Sequence, residues 1–139
     1  RRFVLNAFVP LNDVWGYNNR TVAMRIPHSD EANTRIEHRI AGADANIYLV
    51  TAAVLAGMLQ GLGDKGDPGP PTVGNAYEQG EHRELFWRDT LRDFLASDFV
   101  ARHFGESFRH IYGQQKLKEL RSFHREVTTL EVDWYLRQV

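Results

Sequence analysis

The sequence of 139 residues contains no cysteine, which excludes disulfides, thiolate zinc sites, iron–sulfur clusters and cysteine nucleophiles. It also has no excess of charge of one sign, because 17 Lys and Arg residues stand against 18 Asp and Glu residues. We therefore expect neither nucleic acid nor a membrane surface as a partner. The longest apolar run, from Ile47 to Leu59, is shorter than the roughly 18 residues that suggest a membrane span.

The first residues lack the pattern of a secretory signal peptide. Asn6 and Pro10 interrupt the apolar residues that follow Arg1 and Arg2, so no continuous apolar segment forms there. We therefore expect a cytoplasmic protein. Because the sequence starts with arginine rather than methionine, we also expect it to be a piece of a longer protein.

Several motifs of hydrolases and metal sites are missing as well. The six histidines form no His-Glu-x-x-His or His-x-His pattern, so they predict no histidine-based metal site. Neither a Gly-x-Ser-x-Gly nucleophile motif nor a phosphate-binding loop of the nucleotide hydrolases occurs.

Apolar residues make up 42% of the sequence and aromatic residues 12%, which is enough for the core of one domain. Residues 1–19 are rich in turn formers and predict a loop. Two short strands are predicted next, from Thr21 to Pro27 and from Arg35 to Ile40. The polar residues between them suggest that the two strands form a hairpin.

The rest of the sequence predicts helices interrupted by one loop. Asn46 is the expected N-cap of a helix from residue 47 to about residue 60, and this helix is apolar almost all round, as in a helix buried in a larger body. Six glycines and three prolines between residues 61 and 80 predict a long loop. Four further helices are predicted. The apolar spacing from Glu81 to Leu95 indicates the first, and Ser97 and Gly105 mark the two ends of a short second helix. The third has an apolar face of Phe108, Ile111, Tyr112 and Leu120, and the last begins with a capping box of Thr128 and Glu131.

These elements predict an α+β fold, with a short N-terminal β-hairpin portion followed by a mostly helical C-terminal part. The predicted hairpin contains the segment with the clearest chemical pattern, Arg35-Ile36-Glu37-His38-Arg39. On a strand, residues two apart share a face at about 7 Å, which places Glu37 between Arg35 and Arg39. The neighbouring cations favour the ionised carboxylate, a ligand suited to a hard divalent cation. By itself the pentapeptide is better explained as a solvated row of charges on an exposed strand.

Arginine is the main basic residue, with 14 Arg against 3 Lys and no Lys before Lys65. This composition favours bidentate recognition of oxyanions, although a codon bias towards arginine explains it equally well. Arg20 and Arg25 stand just upstream of the pentapeptide, at positions of opposite parity. Both can reach one site only if Arg20 lies in a loop or a bulge intervenes.

In order along the chain, these stretches resemble the glutamine synthetase family. Arg1-Arg2-Phe3 is similar to the end of its Asn-Ser-Tyr-Lys/Arg-Arg motif, and Asn19 to Pro27 matches its Asn-Arg-x₄-Arg-Ile-Pro. Arg35 to Arg39, followed by Ala43 to Leu49, resembles its Arg-Ile-Glu-x-Arg…Ala-Asn-Pro-Tyr-Leu segment. The resemblance spans the whole chain, including the Pro68-Gly69-Pro70-Pro71 loop, and is strong through residue 62. It implies the C-terminal part of a catalytic domain.

The resemblance also implies a role for each matching residue. Glu37 would bind one active-site Mg²⁺ or Mn²⁺, Arg2 would bind glutamate, and Arg20 and Arg25 would contact the phosphates of the co-substrate ATP and the transferring phosphoryl group. Arg39 would bind substrate and stabilise the γ-glutamyl phosphate region, so that Arg20 and Arg39 would be catalytic. The parent enzyme would join ammonia or an amine to the γ-carboxylate of glutamate, and it would be a homo-oligomer.

The resemblance further implies an organisation and a branch. Residues 1–62 would form the active-site strands and the buried helix, residues 63–80 the Gly/Pro loop, and residues 81–139 the helical part. Trp15-Gly16, His38 and Ala41-Gly42-Ala43-Asp44 resemble the γ-glutamylpolyamine synthetase branch. Ile47 departs from the family, which usually has proline at this first helical position.

Two alternatives to a ligase remain open from the sequence. The chain could belong to a catalytically decayed family member with an assembly or regulatory role, although Arg2, Arg20, Arg25, Glu37 and Arg39 are all present. An arginine-rich RNA-binding module fits the arginine bias, but the chain lacks net positive charge and an aromatic platform motif beside the arginines.

Overall fold

The computed structural model describes residues 9–79 and 86–136. The chain divides into two compact units, Arg1–Glu84 and Leu85–Val139. The first unit contains a three-stranded sheet of β1 (Trp15–Tyr17), β2 (Met24–Ile26) and β3 (Glu37–His38), followed by helix α1 (Ile47–Asp64). The second unit contains helices α2 (Trp87–Ala96), α3 (Asp98–Phe104), α4 (Glu106–Phe123) and α5 (Thr129–Tyr135). This architecture confirms the expected α+β class.

The predicted hairpin is present, with shorter strands than expected. Strands β2 and β3 pair antiparallel, with Met24 opposite His38 and Arg25 opposite Glu37. The antiparallel pairing covers only two residue pairs, because β3 has only two residues. The segment before β2 supplies much of the core of this unit, since Leu11, Val22 and Ala23 are buried there.

Strand β1 lies in the segment that the sequence predicts to be a loop. It pairs with β2 in parallel, with Gly16 opposite Arg25, and its other side receives a hydrogen bond from the Thr72 amide to the Trp15 carbonyl at 2.8 Å. A Cβ atom on Gly16 would lie 2.7 Å from the Thr72 carbonyl oxygen. Glycine here is thus required by the close approach of two backbones rather than by a turn.

The Gly/Pro segment is fastened to this sheet by side chains. The Trp15 indole Nε1 donates to the carbonyls of Pro68 and Gly69, both at 3.0 Å. Further along, the Ala76 amide donates to the Thr21 hydroxyl at 2.9 Å. These contacts hold an irregular segment in a defined path along the sheet.

Helix α1 begins as predicted, with the Asn46 side chain accepting from the amides of Tyr48 and Leu49. It ends at Asp64, beyond the expected end, where Lys65 adopts a left-handed conformation with φ of 49°. Large apolar side chains of α1 are more than half exposed, namely Ile47, Tyr48, Leu55, Met58, Leu59 and Leu62. By length and a mean hydropathy of 1.4 alone, α1 could cross a membrane, although core helices of larger proteins pass the same test.

In the second unit, α2 and α4 cross closely, and Leu91 and Leu120 are buried. A Cβ atom on Gly113 would lie 2.3 Å from Leu95 Cδ2, which shows how tight this crossing is. Ile111, which the spacing places on the apolar face of α4, is instead 68% exposed. At 100° per residue, Ile111 lies on the far side of Phe108 from Gly113 and Leu120, so the buried stripe turns away from it.

The predicted helix ends of the second unit are confirmed. The Ser97 side chain accepts from the Val100 amide, and α3 ends before Gly105, which has φ of 89°. Thr128 and Glu131 form the expected reciprocal capping box at the start of α5. The predicted helix start at Glu81 lies outside the described residues. Within them, α2 begins at Trp87.

Candidate active site on the paired strands

Arg25 and Glu37 form the centre of the candidate site. They are direct cross-strand partners in the β2–β3 pair, and Arg25 Nη1 lies 3.0 Å from Glu37 Oε2. Arg35 Nη2 lies 3.5 Å from the other oxygen, Oε1. The side chains of Arg25 and Glu37 are 16% and 32% exposed, so solvent screens this pair less than a fully exposed one.

The expected flanking of Glu37 by Arg35 and Arg39 is therefore wrong in one partner. Arg25, from the neighbouring strand, takes the place of Arg39. Strand β3 ends at His38, and the Arg39 amide donates to the Ala23 carbonyl at 3.0 Å. The Arg39 guanidinium Nη1 donates to the carbonyls of Arg20 and Val22. It therefore holds the backbone of the loop between β1 and β2.

Arg20 lies in that loop, before β2 begins at Met24. Because positions 20 and 25 have opposite parity, both could reach one site only if Arg20 lay in a loop, and the structure meets this requirement. The loop lines an open cleft of about 480 Å³, formed by residues 17–21 on one side and residues 71–74 on the other. Arg20 is exposed at this cleft. Thus the structure brings Arg25, Arg35 and Glu37 into contact, and it connects Arg39 to the backbone of Arg20. Arg2 lies outside the described residues.

Two asparagines before Arg20, Asn18 and Asn19, also belong to the candidate site, and sequence reasoning did not find their roles. Asn18 Oδ1 accepts from Arg25 Nη2 at 2.8 Å. Asn19 Oδ1 accepts from the amide and the hydroxyl of Thr21 at 2.9 and 2.7 Å, and its amide nitrogen donates to the Gly74 carbonyl at 2.7 Å. The signal available in the sequence was the Asn-Asn pair itself, because asparagine adopts tight loop conformations readily.

Glu37 has the oxygen-ligand chemistry of one ligand of a divalent cation, although both of its oxygens are paired with guanidinium groups here. Its carboxylate is fixed by two guanidinium groups, and carboxylate oxygens are what Mg²⁺ and Mn²⁺ prefer. His38, the next residue, falls on the opposite face of the strand. Within residues 9–79 and 86–136, no group of three or more His, Asp or Glu side chains is placed to hold a metal ion. A complete metal site would therefore need ligands from beyond these residues.

A family model described as glutamine synthetase, catalytic domain, matches residues 1–135. The chain belongs to the glutamine synthetase family. This confirms the resemblance read from the arginine and glutamate motifs, which include the Arg25–Glu37 pair described above.

Two relatives within the family are named for amine substrates. The chain is 44% identical over 138 residues to gamma-glutamylputrescine synthetase PuuA of Escherichia coli, covering 99% of this chain and 29% of that protein. It is 35% identical over 129 residues to a glutamate–isopropylamine ligase of a Pseudomonas species, covering 90% and 28%. The expected similarity to the polyamine branch is thus confirmed.

A solved structure, that of GmaS without ligand, has the same fold. It superposes with a TM-score of 0.75 at 28% identity, covering 96% of this chain and 31% of that chain. The chain therefore spans about three tenths of the length of the proteins it matches.

Proposed function

We propose that this chain contributes one wall of the active site of an ATP-dependent ligase, which joins the γ-carboxylate of glutamate to an amine. The observation that carries the proposal is the Arg25–Glu37–Arg35 cluster on adjacent strands, with Arg25 Nη1 and Glu37 Oε2 3.0 Å apart. It combines one fixed carboxylate with two guanidinium groups, the side-chain type suited to binding oxyanions. The family membership and the amine-ligase names of the relatives support the same reaction.

The reaction would proceed in two steps. An oxygen of the glutamate γ-carboxylate forms a bond to the γ-phosphorus of ATP, the bond to the bridging oxygen breaks, and ADP leaves. The amine nitrogen then attacks the acyl carbon of γ-glutamyl phosphate, inorganic phosphate departs, and the nitrogen loses a proton. Negative oxygens crowd together in both steps, so cationic groups must offset their repulsion.

Each arginine would have a separate part in this reaction. Arg25, fixed from two sides, and Arg20, exposed at the cleft, would bind the ATP phosphates and the transferring phosphoryl group. Arg39 would act at the γ-glutamyl phosphate, while its contact with the Arg20 carbonyl keeps the loop in place. Arg2 would bind glutamate. The planar guanidinium suits these roles because it meets two oxygens at once.

Glu37 would be one ligand of a bound Mg²⁺ or Mn²⁺. Such an ion supplies charge neutralisation at phosphate oxygens. The remaining ligands would come from parts of the parent protein outside the described residues, since no cluster of three is present within them. We further propose that the parent is a cytoplasmic homo-oligomer and that its acceptor is an amine larger than ammonia, as in the relatives named above.

The test is an ADP-release assay with the full-length parent, ATP, glutamate and a panel of acceptors. The panel contains ammonia, putrescine, spermidine, ethanolamine and isopropylamine. We expect ADP release that requires both glutamate and an amine, with an organic amine preferred over ammonia. Absence of ADP release with every acceptor would contradict the ligase and favour a decayed family member, and preference for ammonia would contradict the proposed acceptor class alone.

A further inference from the structure

Asn18 makes two hydrogen bonds to strand β2, which carries Arg25. Its side-chain Oδ1 accepts from Arg25 Nη2 at 2.8 Å, and its backbone amide donates to the Ile26 carbonyl at 2.8 Å. Asn18 itself has φ of 48°, a left-handed conformation that asparagine tolerates better than most residues. The backbone contact continues the parallel β1–β2 ladder, in which Tyr17 is opposite Ile26, so the side-chain contact with Arg25 is the one that depends on asparagine at this position.

The two partners of the Arg25 guanidinium are different in kind. Nη1 is bound to a carboxylate, Glu37, and Nη2 to a neutral amide oxygen, Asn18. Arg25 Nε is buried without a hydrogen-bond partner in the structure, so these two bonds define the orientation of the group. If Glu37 were engaged by a cation, its attraction for Arg25 would weaken, whereas the neutral contact with Asn18 would persist.

We propose that Asn18 is a positioning residue that fixes the orientation of the Arg25 guanidinium towards the phosphates. The proposal rests on the proposed function for the identity of the bound group. The contact between Asn18 and Arg25 is a property of this chain and can be tested without any ligand. Nothing in the family motif assigns a role to this position, since the matching motif begins at Asn19.

The ligand-independent test is NMR of the arginine side chains in the 139-residue chain. Asn18→Gly removes the amide group and keeps the left-handed backbone accessible, so we expect faster rotation and faster hydrogen exchange of the Arg25 Nη groups. Asn18→Asp keeps an acceptor and should retain the slow rotation. Lys65→Gly is the matched control, because Lys65 has φ of 49° at another site; it should leave Arg25 unchanged. If Asn18→Gly does not fold, Asn18→Ser, which is too short to reach Nη2, replaces it.

The functional test uses the full-length parent. A hydrogen bond to a charged group corresponds to roughly a ten- to hundredfold effect, so we expect Asn18→Gly to lower kcat/KM for ATP by about tenfold or more. The KM for ATP should rise while the KM for glutamate stays close to its original value. A loss of folded enzyme would instead lower kcat and leave both KM values unchanged.

The outcomes separate the two proposals. Unchanged Arg25 dynamics in Asn18→Gly, or unchanged KM for ATP in an active parent, would overturn the positioning role. If the wild-type parent has no ligase activity but Asn18→Gly changes the Arg25 dynamics as expected, the proposed function is overturned and the positioning role of Asn18 stands.

Discussion

Arg25 and Glu37 face each other across two strands, and neither is adjacent to the other in sequence. Their contact at 3.0 Å joins the two family motifs into one site. It also means that a change at either residue removes one of the contacts that hold the other in place.

Replacing Glu37 by glutamine in the full-length parent should abolish turnover and leave the fold intact. Glutamine has nearly the same shape and can still accept from Arg25, but it lacks the negative charge that strengthens the binding of a divalent cation. Loss of Mn²⁺ binding measured by electron paramagnetic resonance, together with loss of ADP release, would check this. Glu31→Gln, at an exposed carboxylate, is the control. Near-normal activity of Glu37→Gln would remove Glu37 from the metal site.

The 139-residue chain by itself should be catalytically inert and should bind ATP–Mg²⁺ weakly. The reason is the shortage of metal ligands among the residues that the structure describes. Isothermal titration calorimetry and an ADP-release assay with glutamate measure both properties. Robust ADP release by the chain alone would show that it carries a complete active site.

Gly16→Ala should destabilise the first unit by about 1–3 kcal/mol, because the added Cβ would press on the Thr72 carbonyl and overpack the contact. Gly57→Ala is the matched substitution. Nothing lies within 4 Å of a Cβ placed there, and it is in the interior of a helix, so it should stabilise the chain by about 1 kcal/mol. Urea unfolding followed by circular dichroism compares the two, and equal effects would contradict the difference in packing.

The start of α5 should depend on pH. Hydrogen bonds from the Thr128 amide and hydroxyl lower the pKa of Glu131. The contribution of this cap is therefore fully present above the usual glutamate range of about 4 to 5 and is lost as the pH falls through the lowered pKa. Carbon chemical shifts of residues 129–135 should show helix loss over that interval, and Glu131→Gln should remove the pH dependence.

The ends of helices could be predicted because each depends on a few neighbouring residues. Asn46, Ser97 and the Thr128–Glu131 pair carry their own hydrogen-bond partners within three residues. The antiparallel pairing of β2 and β3 was suggested by two short strand-like segments that are close in sequence, and the structure confirms it.

Other features depend on residues that are distant in sequence. Strand β1 is held by parallel pairing with β2 on one side and by the Thr72 amide on the other, and nothing between residues 15 and 17 indicates either contact. The partner of Glu37 depends on the register of β2 and β3 and on where β3 ends, which decides between Arg25 and Arg39. The site roles named from the family motif remain predictions, of which Glu37→Gln tests the metal ligand and Asn18→Gly tests the orientation of Arg25.

The indole of Trp15 makes the fastening of the Gly/Pro segment observable. Of the three tryptophans, Trp15 is in the first unit, while Trp87 and Trp134 belong to the second. With the latter two replaced by phenylalanine, the fluorescence of the chain would come from an indole bound to the carbonyls of residues 68 and 69. Detachment of that segment would then shift the emission to longer wavelength, which allows its kinetics to be followed without an attached dye.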